Sequence, residues 1–292
     1  MKRASAPESV PVFKLYGEQR GWPTPDLLHC ESIHQRSSLY AWHIRVHQHA
    51  ELVQLLYVHK GQAEIEIEGE RRAVNGPCIQ VVPSLCVHGF RFSPGTQGYV
   101  LSLALPLLSR LEAQFGRQLD VLGQPVCVMV RRARRHIHTV FAALLEEYSH
   151  EKDAREMMLS SLLGALLVWL NRQGAPTAIL EDKSARKRSV LRQFARLIES
   201  HYREHLSLAE YAQRLGVSTT YLNCLCREFH GTSALGVLHQ RLLLEAKRSL
   251  QYTSMSITQV SDYLGFSDVT YFSRFFRKRG GMAPKEFKMK IE

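Results

Sequence analysis

Leu264-Gly265-Phe266-Ser267-Asp268-Val269-Thr270-Tyr271-Phe272 decides the reading of this chain, because an earlier stretch runs in parallel with it: Leu215-Gly216-Val217-Ser218-Thr219-Thr220-Tyr221-Leu222. In each copy a short apolar helix is expected to end at the Gly, and a second helix to restart at a Ser N-cap. The second helices end alike. Arg227 is followed four residues on by Gly231, and Arg277 by Gly281. Helix, turn and second helix form the helix-turn-helix unit. Two copies at one separation are far less expected by chance than one.

Working outward, residues 235–250 join the copies, with Leu235, Leu238, Leu242 and Leu250 at helical spacing. A single helix there would hold the two motifs at a fixed distance, as reading adjacent major-groove turns requires. The N-terminal half of each second helix is expected to meet base edges. Those positions are Thr219, Thr220, Asn223 and Cys224 in the first copy, and Val269, Thr270, Ser273 and Arg274 in the second. Arg forks guanine, Asn pairs with adenine, and Val or a Thr methyl touches thymine. Arg227, Arg277 and Lys278 are expected on phosphates, which position without specifying.

Charge agrees. The net charge is +11, of which residues 181–292 carry +8 and residues 1–180 only +3. A basic C-terminal third favours a polyanionic partner. Arg131-Arg132-Ala133-Arg134-Arg135 reads instead as a solvated helix start. No apolar run reaches membrane-spanning length, and the first residues carry no apolar segment of the secretory kind, so a cytoplasmic protein without membrane contact is expected. The six Cys are scattered, and Cys224-x-Cys226 is not a zinc spacing, so reduced thiols are expected.

The 292 residues suggest two domains. Apolar runs at residues 53–58, 78–82 and 99–105, and the strict alternation Glu64-Ile65-Glu66-Ile67-Glu68, predict an antiparallel sandwich or barrel. From about residue 131 the period becomes helical: Ile137, Val140, Phe141 and Leu144 mark one helix, and residues 157–170 a second, very apolar one. That helical pair is the expected seat of dimerisation, with the apolar face that carries Leu163 and Leu167 meeting the sheet, its helical neighbour or another subunit. The expected boundaries are an effector and dimerisation domain over 1–175, a linker over 176–189 and a DNA-binding domain over 190–292. The fold class is α+β.

Residues from Val190 to Phe287 resemble the C-terminal domain of the AraC/XylS family of bacterial transcription regulators. The resemblance rests on the run from Gly265 to Lys278 and on Gly281-Met282-Ala283-Pro284-Lys285-Glu286-Phe287. It implies a ligand-responsive regulator, an activator, dimeric, meeting promoter DNA and RNA polymerase, and not an enzyme. Many family members have Arg where Cys224 stands, and a thiol cannot make the guanine fork. His47-x-His49, Gln54, Gly61, Gly76, Pro83 and His88 resemble the cupin-like barrel that such regulators use for effectors. Metal-binding cupins have Glu where Gln54 stands and Gly where Leu85 stands, so no metal and no other cofactor is expected.

Strand alternation places His43, Arg45 and His47 on one face. With His47 inward, Arg45 would turn inward as well and clamp a carboxylate with its planar fork. The expected effector site is therefore Arg45, His47, His49, Gln54 and His88, with Leu56 and Trp42 as ring contacts. Phe13-Lys14-Leu15-Tyr16-Gly17-Glu18, Leu27-Leu28-His29-Cys30-Glu31-Ser32-Ile33 and Gln54-Leu55-Leu56-Tyr57-Val58 are similar to family members that regulate aromatic-acid catabolism. The similarity implies 4-hydroxybenzoate as effector, with 4-hydroxyphenylacetate or another small carboxylate next. Two other classes stay open at this stage: a metal-dependent cupin enzyme fused to a DNA anchor, and an architectural DNA binder with a vestigial barrel.

Overall fold

The computed structural model describes residues 27–38, 42–49, 51–173 and 183–291. The described residues form two compact units, one over 27–173 and the other over 183–291.

The first unit is β-rich. Its elements are β1 (Leu28–Ser32), α1 (Ile33–Ser38), β2 (His43–His47), β3 (Leu52–Lys60), β4 (Gln62–Ile67), β5 (Glu70–Asn75), β6 (Cys78–Val82), β7 (His88–Phe92), β8 (Gln97–Ala104), α2 (Leu105–Phe115), β9 (Val126–Met129), α3 (Arg134–Ser149) and α4 (Arg155–Arg172). The strands pair antiparallel in two sheets, ordered β1-β8-β3-β6-β9 and β2-β7-β4-β5.

The apolar run at β3 follows from its position. It is buried on both faces, so alternation gives way to a continuous run. Val53, Leu55 and Tyr57 point to a core closed by Phe141, Leu144, Leu163 and Leu167 of α3 and α4. Leu56 and Val58 point the other way, to a second core with Ile65, Phe90 and Phe92 of the facing sheet. Gln54 shares the parity of Leu56, so the backbone alone sends it between the sheets.

Helix α4 settles one of the open alternatives. Leu163 and Leu167 are fully buried within the one chain. Of the partners open to this apolar face, it therefore meets the core of the five-stranded sheet and α3.

The second unit is all helical: α5 (Lys183–His201), α6 (Leu208–Arg214), α7 (Thr219–His230), α8 (Ala234–Tyr252), α9 (Ile257–Tyr263), α10 (Val269–Gly280) and α11 (Pro284–Ile291). Part of the expected linker lies outside the described residues, and residues 183–189 correct the rest. They are the first turns of α5, a stretch of good helix formers with Lys187 paired to Glu228 at 2.9 Å.

The two motifs open on like capping boxes, Ser207 with Glu210 and Ser256 with Gln259. Their second helices do not start alike. Ser218 caps α7 by accepting from the Tyr221 amide, but the cap of α10 is Asp268, which accepts from Thr270 and Tyr271. A carboxylate satisfies two orphan amides where a hydroxyl satisfies one, so the expected Ser cap at 267 is displaced by its neighbour. Gly265 has no substitute in the turn. Its φ is +76°, and a Cβ would collide with the Arg203 carbonyl oxygen.

Helix α8 runs for 19 residues, about 28 Å at 1.5 Å per residue. It packs against α7, α9, α10 and α11. Leu238, Leu242 and Leu250 are buried as expected, but Leu235 is exposed. Residue 235 sits in the first turn, on the solvent side. Arg241 ties α8 to α5: its guanidinium bonds Glu199 at 2.7 Å and Glu245 at 2.8 Å, and lies 4.2 Å from the Tyr202 ring centroid.

Candidate functional site

Helices α7 and α10 present matched surfaces at an offset of fifty residues. Leu222, Leu225 and Cys226 bury one face of α7, as Phe272 and Phe276 do for α10. The opposite stripe, at steps of four and three, is Thr220, Cys224, Arg227 in α7 and Thr270, Arg274, Arg277 in α10. All six are exposed. Lys278 extends the second stripe, while Arg279 turns toward α8 and donates to His239 at 2.8 Å. Thr219, Val269 and Ser273 are half-buried flanking positions.

Asn223 departs from expectation. Its side-chain oxygen accepts the Ala234 amide at 3.1 Å, so it joins α7 to the start of α8 and half-buries itself. The oxygen keeps a second lone pair, but the bond to Ala234 holds the side chain toward the start of α8. Sequence reasoning missed Tyr221 and Tyr271, which are 40% and 54% exposed beside the stripes. Their shared offset from Thr220 and Thr270 was the available signal.

In the first unit, four of the five expected effector residues come together and the fifth leaves. His47, His49 and His88 are 1–2% exposed, and Gln54 is buried with them. His47 Nε2 lies 3.2 Å from His49 Nε2. The Gln54 amide reaches His49 and His88, each at 3.1 Å, and donates to the Ser102 hydroxyl at 3.2 Å. Burial holds the His47 imidazole down at about 4 despite its bond to the Arg45 carbonyl. It holds His88 well below the ordinary range too, so both are neutral at physiological pH.

Arg45 is exposed on the opposite face. The cause is a β-bulge. Ile44 pairs with Phe90 and His47 with His88, so three steps of β2 face two of β7. The extra residue flips the parity, and His47 turns inward with Ile44 while His43 and Arg45 stay outside. The carboxylate clamp at Arg45 is thereby overturned. Outside, Arg45 shares the sheet face with Glu64, Glu66, Arg71 and Arg91, where Arg71 pairs with Glu66 at 2.9 Å.

A second recess was not foreseen. A cavity of about 450 Å³ is lined by Trp42, Tyr99, His34, His59, His138 and Leu145, among others. The His59 and His138 rings stack at 3.9 Å, and the Tyr57 hydroxyl meets His59 Nδ1 at 3.1 Å. His138 Nδ1 is buried with no hydrogen-bond partner among the described residues. Burial, then His138, Arg134 and Lys60, lower the His59 pKa.

A buried polar cluster in a β-rich unit, together with a paired helix-turn-helix unit, defines a two-domain DNA-binding regulator. Comparison with known proteins gives the family. Residues 29–167 match the AraC-like ligand binding domain, and residues 211–290 match a helix-turn-helix domain. The chain is an AraC-family transcriptional regulator, and its domains and relatives are those of regulators rather than enzymes.

It is 22% identical over 255 residues to the HTH-type transcriptional regulator YdiP of Escherichia coli, covering 86% of this chain and 83% of that one. It is 30% identical to the arabinose operon regulatory protein of Salmonella typhimurium, covering 54% of each. Among solved structures, ToxT from Vibrio cholerae is similar at a TM-score of 0.38 and 12% identity, over 91% of this chain and 98% of that one. The helix-turn-helix domain implies DNA binding, and the ligand-binding domain implies a small-molecule effector. Among the described residues, no helix is long and apolar enough to cross a membrane.

Proposed function

We propose that this regulator is a cytoplasmic homodimeric activator that meets RNA polymerase at its promoters and answers to a small aromatic acid, 4-hydroxybenzoate or 4-hydroxyphenylacetate. The paired outward stripes Thr220–Cys224–Arg227 and Thr270–Arg274–Arg277 carry the DNA-binding part. The resemblance of residues 27–33 and 54–58 to regulators of aromatic-acid catabolism supports the effector class. With Arg45 outside, the recess beside Trp42 and Tyr99 is the better seat for it.

Its volume of about 450 Å³ lies within the usual range for small-molecule sites. The rings of Trp42 and Tyr99 supply faces for an aromatic ligand. Arg134 and Lys60, the cations near His59, supply a positive field for its carboxylate. Binding there shifts the population of states that the dimer and its DNA readers adopt, which is the physical content of effector response.

Thermal unfolding of the full chain with 4-hydroxybenzoate, benzoate and 4-hydroxybenzamide tests this reading. A ligand at a hundredfold its Kd stabilises by about 2.7 kcal/mol. The acids should raise the midpoint, the amide should not, and Trp42→Ala or His138→Ala should abolish the shift. An amide as effective as the acid, or full shifts in both variants, refutes the effector assignment. The fragment 181–292 should bind operator DNA without effector, with affinity falling steeply as salt rises.

A further inference from the structure

We propose that His47, His49 and His88 form a binding site for a divalent first-row transition-metal ion between the two sheets. One ligand atom of each His falls within 4.8 Å of the other two, and all three side chains are buried. They come from three places: the end of β2, the residue just beyond its bridge, and the start of β7. The bulge at Arg45 and Val46 is what turns His47 into the cluster.

The ring orientations are those of ligands. His47 Nδ1 meets the Arg45 carbonyl at 2.7 Å, and His88 Nδ1 meets the Cys86 carbonyl at 2.9 Å. A carbonyl only accepts, so each Nδ1 carries the hydrogen and each Nε2 directs a lone pair into the cluster. Metal-binding His are oriented in this way by a backbone carbonyl on the far nitrogen.

Without a cation the inward atoms bond one another once Gln54 is turned. As placed, the Gln54 amide oxygen faces the His88 Nε2 lone pair at 3.1 Å, two acceptors in contact. Turning the amide gives His88 a donor, and a single hydrogen between His47 Nε2 and His49 Nε2, 3.2 Å apart, makes an N–H···N bond. A metal ion accepts all three lone pairs. With metal–nitrogen bonds of about 2.0–2.1 Å, a tetrahedral site has nitrogen–nitrogen edges of roughly 3.4 Å. The His47–His49 edge already fits, and the longest separation, up to 4.8 Å, needs a contraction of up to roughly 1.4 Å.

Three neutral imidazoles without a carboxylate select zinc, nickel, cobalt or copper over magnesium or calcium. Gln54, turned so that its oxygen faces inward, or a water molecule, stands at the fourth position. The site goes beyond the effector reading and does not depend on it, because the aromatic recess uses other residues.

The test uses the full chain, stripped with a chelator and titrated with Co²⁺ alone, then with Zn²⁺ as competitor. The expected result is one equivalent of Co²⁺ per chain, with visible bands of four-coordinate nitrogen ligation that Zn²⁺ abolishes. His47→Gln and His88→Gln should each weaken binding at least tenfold. Gln54→Glu should tighten it at least tenfold by adding a negative ligand, which keeps the test decisive if a His variant misfolds. No stoichiometric binding, or spectra unchanged in folded His variants, overturns the proposal. So does an unaltered affinity in Gln54→Glu, or strong sulfur-to-cobalt charge transfer, which would place the ion on cysteine. The effector shift, measured on metal-free chain, reports separately on the proposed function.

Discussion

Arg45 and His47 sit two residues apart on one strand yet face opposite sides of the sheet, and the His47 ring donates to the Arg45 carbonyl at 2.7 Å. The bulge that separates them makes one a buried member of a polar cluster and the other a solvated surface charge.

Arg45→Ala should therefore be nearly silent. Surface changes of this kind move stability by about 0.5 kcal/mol or less. Calorimetric titration with the effector and DNA-binding assays should match wild type. Loss of effector affinity would show that Arg45 reaches the ligand from outside.

The DNA stripes divide by role. Arg274→Ala should cost roughly 1–3 kcal/mol and relax preference at one base pair. Arg277→Ala should weaken specific and random DNA alike and lower the salt slope by about one. Cys224→Arg should tighten binding and change preference at the first half-site. Asn223→Ala should reduce thermal stability by about 1 kcal/mol, through the lost bond to the Ala234 amide, without selective loss at one base pair. Quantitative binding to operator variants across a salt series distinguishes these outcomes.

Dimerisation, if α4 carries it, must use the face left outside. Met157 and Met158 are 72% and 51% exposed, and Ala165 lies on the same side. Ala165→Glu or Met158→Glu should give a folded monomer in sedimentation. Leu163→Glu should instead unfold the first unit, because an unpaired charge is buried there. A folded dimer carrying Ala165→Glu removes α4 from the interface.

Acid sensitivity of the DNA-binding unit should track His230. Burial pushes its imidazole down to about 4, and its Nδ1 has no partner among the described residues. The unfolded chain, with an ordinary pKa near 6.5, then binds more protons than the folded one between about pH 4 and 6.5. Stability should fall as pH drops through that window and level off below it. His239, lowered by burial and then by Arg279, adds in the same direction. Part-exposure of His230 trims the effect to roughly 1–3 kcal/mol. Denaturant unfolding of fragment 181–292 should show this slope, and His230→Phe should flatten it.

The helix-turn-helix pair was legible because its signals are local. Gly216 and Gly265 at positive φ, caps at Ser218 and Asp268, and apolar steps of three and four are all set within a few residues of chain. The alternation at residues 64–68 and the double-sided burial of residues 52–58 are local in the same sense. The bond of Asn223 was not legible, by contrast, because its partner, Ala234, lies in the next helix.

The sequence by itself determined the class of fold, the repeat, the residues on the outward stripes, and that His47, His49, Gln54 and His88 belong together. Tertiary structure alone decided which way Arg45 points, that Leu163 and Leu167 close a core within one chain, and that Trp42 and His138 line one recess. The physical reason is register. A strand's side-chain period is two, so one extra residue against β7 reverses every face beyond it, and that extra residue exists only as a relation between two strands.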